Sequence, residues 1–73
     1  MDQTEFKKVF KANILDIMYQ KGITQKDISL ISGISEVMLS RYINGDMIPS
    51  FYKIYKIADA LECSIDDLIH NWY

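Results

Sequence analysis

Three glycines divide this chain at nearly even steps. Gly22, Gly33 and Gly45 stand eleven and twelve residues apart, and the single proline, Pro49, follows the last of them. Segments of that length suit strands or short helices, so the apolar pattern between the breaks decides. Phe6, Val9, Phe10, Ile14, Ile17 and Met18 recur at intervals of three and four, the spacing of one helix face and not of a strand.

A first helix is therefore expected from about 4 to 21, closed by Gly22 in a left-handed terminal conformation. Thr24 then offers an N-cap and Asp27 its reciprocal partner. They open a short helix to about Ser32, with Ile28 and Ile31 facing inward, and Gly33 stops it. Ser35 caps the next helix, over 36–43, with Leu39 and Tyr42 as its inward pair. Asn44-Gly45 reads as a turn, because both residues tolerate positive φ. Ser50 caps a helix over 51–61 with Phe51, Ile54, Ile57, Ala58 and Leu61 on one face. Ser64, with Asp67 three residues on, opens a last helix carrying Ile65, Leu68, Ile69 and Trp72. The expectation is an all-α fold of five helices, one domain over residues 1–73.

Composition narrows the function. Hydrophobic residues make up 49% and charged residues 25% of 73 residues, which excludes wholesale disorder. A net charge of −2 excludes a generic polybasic nucleic-acid binder, but the charge is unevenly placed. Residues 6–56 hold all eight basic residues against four acids, a net of +4, and the other six acids lie toward the ends. That partition is compatible with modest, salt-sensitive binding to a duplex. A lone cysteine, Cys63, forms no internal disulfide, which favours a reducing compartment. No apolar run approaches the ~18 residues of a membrane span, and the acidic start Met1-Asp2-Gln3-Thr4-Glu5 is unlike a signal peptide. A cytoplasmic location without membrane contact is expected. One histidine, one cysteine and no phosphate loop give no catalytic constellation. Neither an enzyme, a metal site nor a cofactor is expected. His70 reads as a surface residue, and Asp66-Asp67, just after a serine cap, as favourable charges at a helix N-terminus.

Two short helices joined by a glycine corner are the signature of a helix-turn-helix, placed at about 24–43. Gly33 is expected because a side chain there would clash as the chain reverses. Ile28, Ile34, Leu39 and Tyr42 would fix the angle between the helices, leaving Glu36, Val37, Ser40 and Arg41 facing outward.

Quoted in order, the series is Gly22-Ile23-Thr24-Gln25-Lys26-Asp27-Ile28, Ser32-Gly33-Ile34-Ser35, Leu39-Ser40-Arg41-Tyr42-Ile43-Asn44-Gly45 and Ile48-Pro49-Ser50. It resembles the Cro/C1-type, or xenobiotic-response-element type, helix-turn-helix repressor family. Ile57-Ala58-Asp59-Ala60-Leu61 and Ser64-Ile65-Asp66-Asp67-Leu68 are similar to that family's closing helices, so the likeness covers roughly residues 6 to 70. It implies a five-helix lambda-repressor-like DNA-binding domain whose third helix, 36–43, enters the major groove. The implied function is a sequence-specific transcriptional regulator, a small phage or mobile-element repressor. It would act as a homodimer on double-stranded DNA with a palindromic operator.

Carried over by position, Gln25 touches a phosphate, Ser35, Glu36, Val37, Ser40 and Arg41 line the groove, and Asn44, just past the third helix, holds the backbone. Lys26 and Lys53 are further phosphate candidates. Each has a plainer alternative. Arg41 reads a guanine edge or pairs with a neighbouring acid; Glu36 accepts from cytosine or favours its helix terminus; Val37 meets a thymine methyl or is simply exposed. Trp72 and Tyr73 either close the core or form the pairing surface. The chain departs from the family at Asp46, where a basic residue is frequent, and at Cys63, which stands where Val is usual and so fits a buried position. A protein-interaction module built on the same fold is the rival expectation, favoured by Glu36, Asp46, Val37 and Met38.

Overall fold

The computed structural model describes residues 1–71. Five helices run in order: α1 Gln3–Lys21, α2 Gln25–Ser32, α3 Glu36–Asn44, α4 Phe51–Ala60 and α5 Ile65–Ile69, with no strand among the described residues. The all-α, five-helix expectation stands.

The helix starts follow the cap residues. Thr24, Ser35, Ser50 and Ser64 each accept a hydrogen bond from the backbone N–H three residues on. Thr24/Asp27 and Ser64/Asp67 close the reciprocal pair as complete capping boxes. The backbone N–H of Thr24 donates to Asp27 at 2.9 Å and that of Ser64 to Asp67 at 3.0 Å. Those bonds favour the ionised carboxylates and hold both below the usual carboxylate range. A further cap, Asp2, starts α1 and accepts from the Glu5 N–H, so that helix begins slightly earlier than its apolar stripe indicates.

The helices pack in a closed ring: α1 on α3, α3 on α2, α2 on α4, α4 on α5, and α5 back on α1. Every helix sends a fully buried side chain to the centre: Phe10 and Ile14 from α1, Ile28 from α2, Leu39 from α3, Ile57 from α4 and Leu68 from α5. Leu61, just past α4, joins them. A five-residue helix is too short to persist alone, so α5 exists because Leu68 fills this centre.

Two side chains of α1 complete the ring with polar contacts. Asn13, only 4% exposed, donates through Nδ2 to the carbonyls of Leu68 at 2.9 Å and His70 at 2.8 Å. Lys21 Nζ donates to the carbonyls of Leu61 at 2.7 Å and Glu62 at 2.8 Å. Helix C-termini leave carbonyls without intrahelical partners, and α1 supplies donors to two of these ends. Glu62 takes positive φ, 53°, where a glycine would be the ordinary choice.

Several expectations change. Ile31 is exposed, and Ser32 takes the inward position beside Ile28. In a helix of only two turns, both i+3 and i+4 are candidates for the buried partner. The Ser32 hydroxyl settles it by accepting from the Ile34 N–H at 3.1 Å in the turn. Phe51 is 72% exposed although it shares a stripe with the buried Ile54. The Gly33 requirement is conformational and not steric. A Cβ there would meet nothing within 4 Å, but φ is +76°, which L side chains rarely adopt. Of the Asn44-Gly45 pair only Gly45 has positive φ; Asn44 is the last residue of α3 and does not lie beyond it. Cys63 is half-buried, and that burial pushes its thiol up from the ordinary range. The last helix ends at Ile69. Trp72 and Tyr73, and the pairing role expected of them, lie outside the described residues.

Candidate nucleic-acid interface

The helix-turn-helix occupies Thr24 to Asn44. α2 ends at Gly33, Ile34 is buried in the corner, and Ser35 caps α3. Ile28, Ile34, Leu39 and Tyr42 are all buried, as the angle-fixing role requires. Ile43 joins them from the last turn of α3.

The opposite side of α3 carries the predicted residues. Glu36, Val37, Arg41 and Asn44 are exposed and Ser40 is half-buried. They recur at one, three and four positions, a single stripe on a helix. Val37 is 64% exposed and is not among the side chains packed on the core. Ser35 is exposed at the N-terminus of this stripe, but its hydroxyl already accepts from the Met38 N–H at 3.1 Å.

Gln25 is the residue whose setting was not visible in the sequence. Its Nε2 donates to the Glu36 carbonyl at 3.0 Å and to the Ser40 hydroxyl oxygen at 2.6 Å. The start of α2 is thereby tied to the first turns of α3. The Ser40 oxygen is engaged as an acceptor, while its own hydrogen remains available to a ligand. Lys26 is exposed in the first turn of α2, beside Gln25. Lys53 is not part of this group. It is half-buried in the first turn of α4, a helix that packs on α2 and α5 and not on α3.

The basic charge is also redistributed. Lys21 is spent on the end of α4, and Lys56 lies over the Tyr52 ring at 5.5 Å from its centroid. The lysines of α1, Lys7, Lys8 and Lys11, border the C-terminal end of α3. Among the described residues no group of histidine, cysteine and acidic side chains could hold a metal ion. No helix there is long and apolar enough to cross a membrane.

A capped corner between two short helices, the second with its outer side free, defines a helix-turn-helix protein. The helix-turn-helix family profile matches residues 15–68, and the chain belongs to the Cro/C1-type helix-turn-helix family. It is 41% identical over 49 residues to the cryptic phage CTXphi transcriptional repressor RstR of Vibrio cholerae serotype O1, a match covering 67% of this chain and 44% of that protein. The chain thus matches under half the length of that relative. It is 29% identical over 65 residues to the uncharacterized HTH-type transcriptional regulator y4dJ of Sinorhizobium fredii, covering 89% of this chain and 84% of that protein. No solved structure matches significantly.

Proposed function

We propose that this chain is a sequence-specific DNA-binding transcriptional regulator of the phage-repressor kind, acting in the cytoplasm without enzymatic activity. The observation that carries the reading is the free outer stripe of α3, held at a fixed angle by the buried corner. A helix presented this way fits the major groove, where Arg41 donates two hydrogen bonds to a guanine edge and Glu36 accepts from a cytosine amino group. Val37 meets a thymine methyl, Ser35, Ser40 and Asn44 hold the edges of the groove, and at the start of α2 phosphate meets Lys26 and the backbone N–H of Gln25, whose side-chain amide is already committed to α3. Lys53 serves as a more distant phosphate contact. Regulation is steric: an occupied operator excludes polymerase. The rival protein-interaction module is not favoured, since both relatives carry names of transcriptional regulators.

The test is binding to palindromes recovered from a random-duplex selection, at about 50 and 200 mM salt. Arg41→Ala is expected to weaken the selected duplex by roughly 5–150-fold and to relax preference at one base pair. Equal binding of selected and scrambled duplexes by the natural chain would refute the reading.

Homodimerisation on a palindrome belongs to the same proposal. Its support is an exposed apolar stretch from Met47 to Tyr55. Phe51, Tyr52 and Tyr55 are 72%, 62% and 52% exposed, with Met47 and Ile48 partly so. Rings of ~150–250 Å² each place roughly 300–450 Å² of aromatic surface in water. With Met47 and Ile48 the patch approaches the ~600 Å² per partner at the lower edge of stable interfaces. The stacking of Tyr52 on Tyr55, centroids 6.4 Å apart, pre-orders the face. A second copy of the chain is the proposed occupant. The double variant Phe51→Ser/Tyr52→Ser should sediment as a monomer at concentrations where the natural chain is dimeric. A natural chain monomeric both alone and on DNA would remove this part of the proposal.

A further inference from the structure

Lys7, Lys8 and Lys11 remain outside the surface described so far, and they share three properties. They recur with Thr4 at the spacing of one helix face. They line a cleft of about 380 Å³ whose other wall is Ile43, Asn44 and Gly45, the end of α3. Among the described residues their ammonium groups meet neither a carboxylate nor a carbonyl.

The plainest structural task for lysines at such a place is capping the helix end. Here the backbone already does that task for two of the carbonyls. The carbonyls of Arg41 and Tyr42 accept from the backbone N–H groups of Gly45, Asp46 and Met47, at 2.9 to 3.3 Å. The contrast with Lys21, whose ammonium does cap α4, is direct. Intrahelical ion pairing is also poorly supplied. Glu5, three residues before Lys8, is within reach but makes no ion pair with it, Asp16 lies about a third of a turn from the stripe, and the remaining nearby acid is the exposed Asp46.

Position supplies the ligand. A nine-residue α3 is about 13 Å long, close to the ~12 Å width of the major groove. Seated there, its two ends approach the two sugar-phosphate backbones. Gln25 and Lys26 stand by the first turns of α3; the lysines stand by its last. The Lys7 stem lies against the end of α3: a Cβ built on Gly45 would be in ordinary van der Waals contact with it, 3.5 Å from its Cδ.

We propose that the Lys7, Lys8 and Lys11 stripe of α1 binds the DNA backbone phosphates on the far side of the groove from Gln25. This rests on the duplex-binding reading above and adds a second phosphate contact region to it. Such contacts carry no base preference. They add to the counterion release that sets salt dependence, at ~0.9 per phosphate neutralised.

The experiment measures binding of the full chain to selected and scrambled duplexes across a salt series. It compares the natural chain, the triple variant Lys7→Gln/Lys8→Gln/Lys11→Gln and its Lys→Arg counterpart, with thermal melts confirming that each folds. The Gln variant is expected to lose about 2–3 from the slope of log K against log salt, with similar weakening on both duplexes, and the Arg variant to keep the natural slope. An unchanged slope in the Gln variant overturns this proposal and leaves duplex recognition standing. Equal loss in the Gln and Arg variants overturns it in favour of a packing role for the lysine stems. A natural chain without affinity for any duplex removes both readings together.

Discussion

Leu39→Ala is expected to remove a large share of this protein's stability. Leu39 is fully buried and is the central anchor of α3. Truncating such a leucine costs about 2–5 kcal/mol, combining lost burial with the cavity left behind. A domain of 73 residues has only about 4–11 kcal/mol to lose, at ~0.05–0.15 kcal/mol per residue. Urea unfolding followed by circular dichroism should show a lower midpoint with an unchanged slope. The same variant should also lose duplex binding under conditions where its helix content has begun to fall. A loss under about 1 kcal/mol would contradict the seating of α3 on the core.

Asn13→Asp is expected to be as damaging for an electrostatic reason. The Asn13 amide donates to the carbonyls of Leu68 and His70, at the end of a helix of five residues. A carboxylate there has nothing to donate when ionised. It would face two carbonyl oxygens from a buried position, at a cost of about 3–5 kcal/mol. The sign with pH follows from linkage. Burial among acceptors raises the folded pKa of the introduced acid above its unfolded value of about 3.9, so the penalty grows as pH rises through that value and fades below it. Asn13→Ala is expected to cost less, about 1–3 kcal/mol, since it removes the donor without introducing a charge. Melting curves of the two variants between about pH 4 and pH 7 should converge at the acid end and separate toward neutrality. Parallel curves would show that the Asn13 pocket is wetter than its exposure indicates.

How much of this could be read from the chain itself depended on how far each interaction reaches. Caps are local, and Thr24, Ser35, Ser50 and Ser64 do what their spacing predicts. The long apolar stripe of α1 also predicted its buried side, with Val9, Phe10 and Ile14 inside. In the eight-residue α2 the same rule has two answers, and the apolar spacing points to Ile31 where Ser32 goes inward. Asn13 and Lys21 were beyond such reasoning. Their partners lie 40 to 57 residues away, and only an asparagine interrupting an apolar stripe hinted at the first. The outer stripe of α3 was legible, because a two-turn inward pattern fixes its complement. The Gln25 bonds to Glu36 and Ser40 were not, because they depend on the angle between two helices. The α1 lysines were visible as charges, but their place against the end of α3 needed the closed ring of helices.

That ring separates the outer stripe of α3 from the chassis that carries it. Glu36, Val37, Arg41 and Asn44 can be exchanged without disturbing a core contact or a side-chain hydrogen bond. Ser40 cannot, because its oxygen also fastens α3 to Gln25. Descendants of such a scaffold have four surface positions to change cheaply, and a fifth whose every change must be answered at position 25.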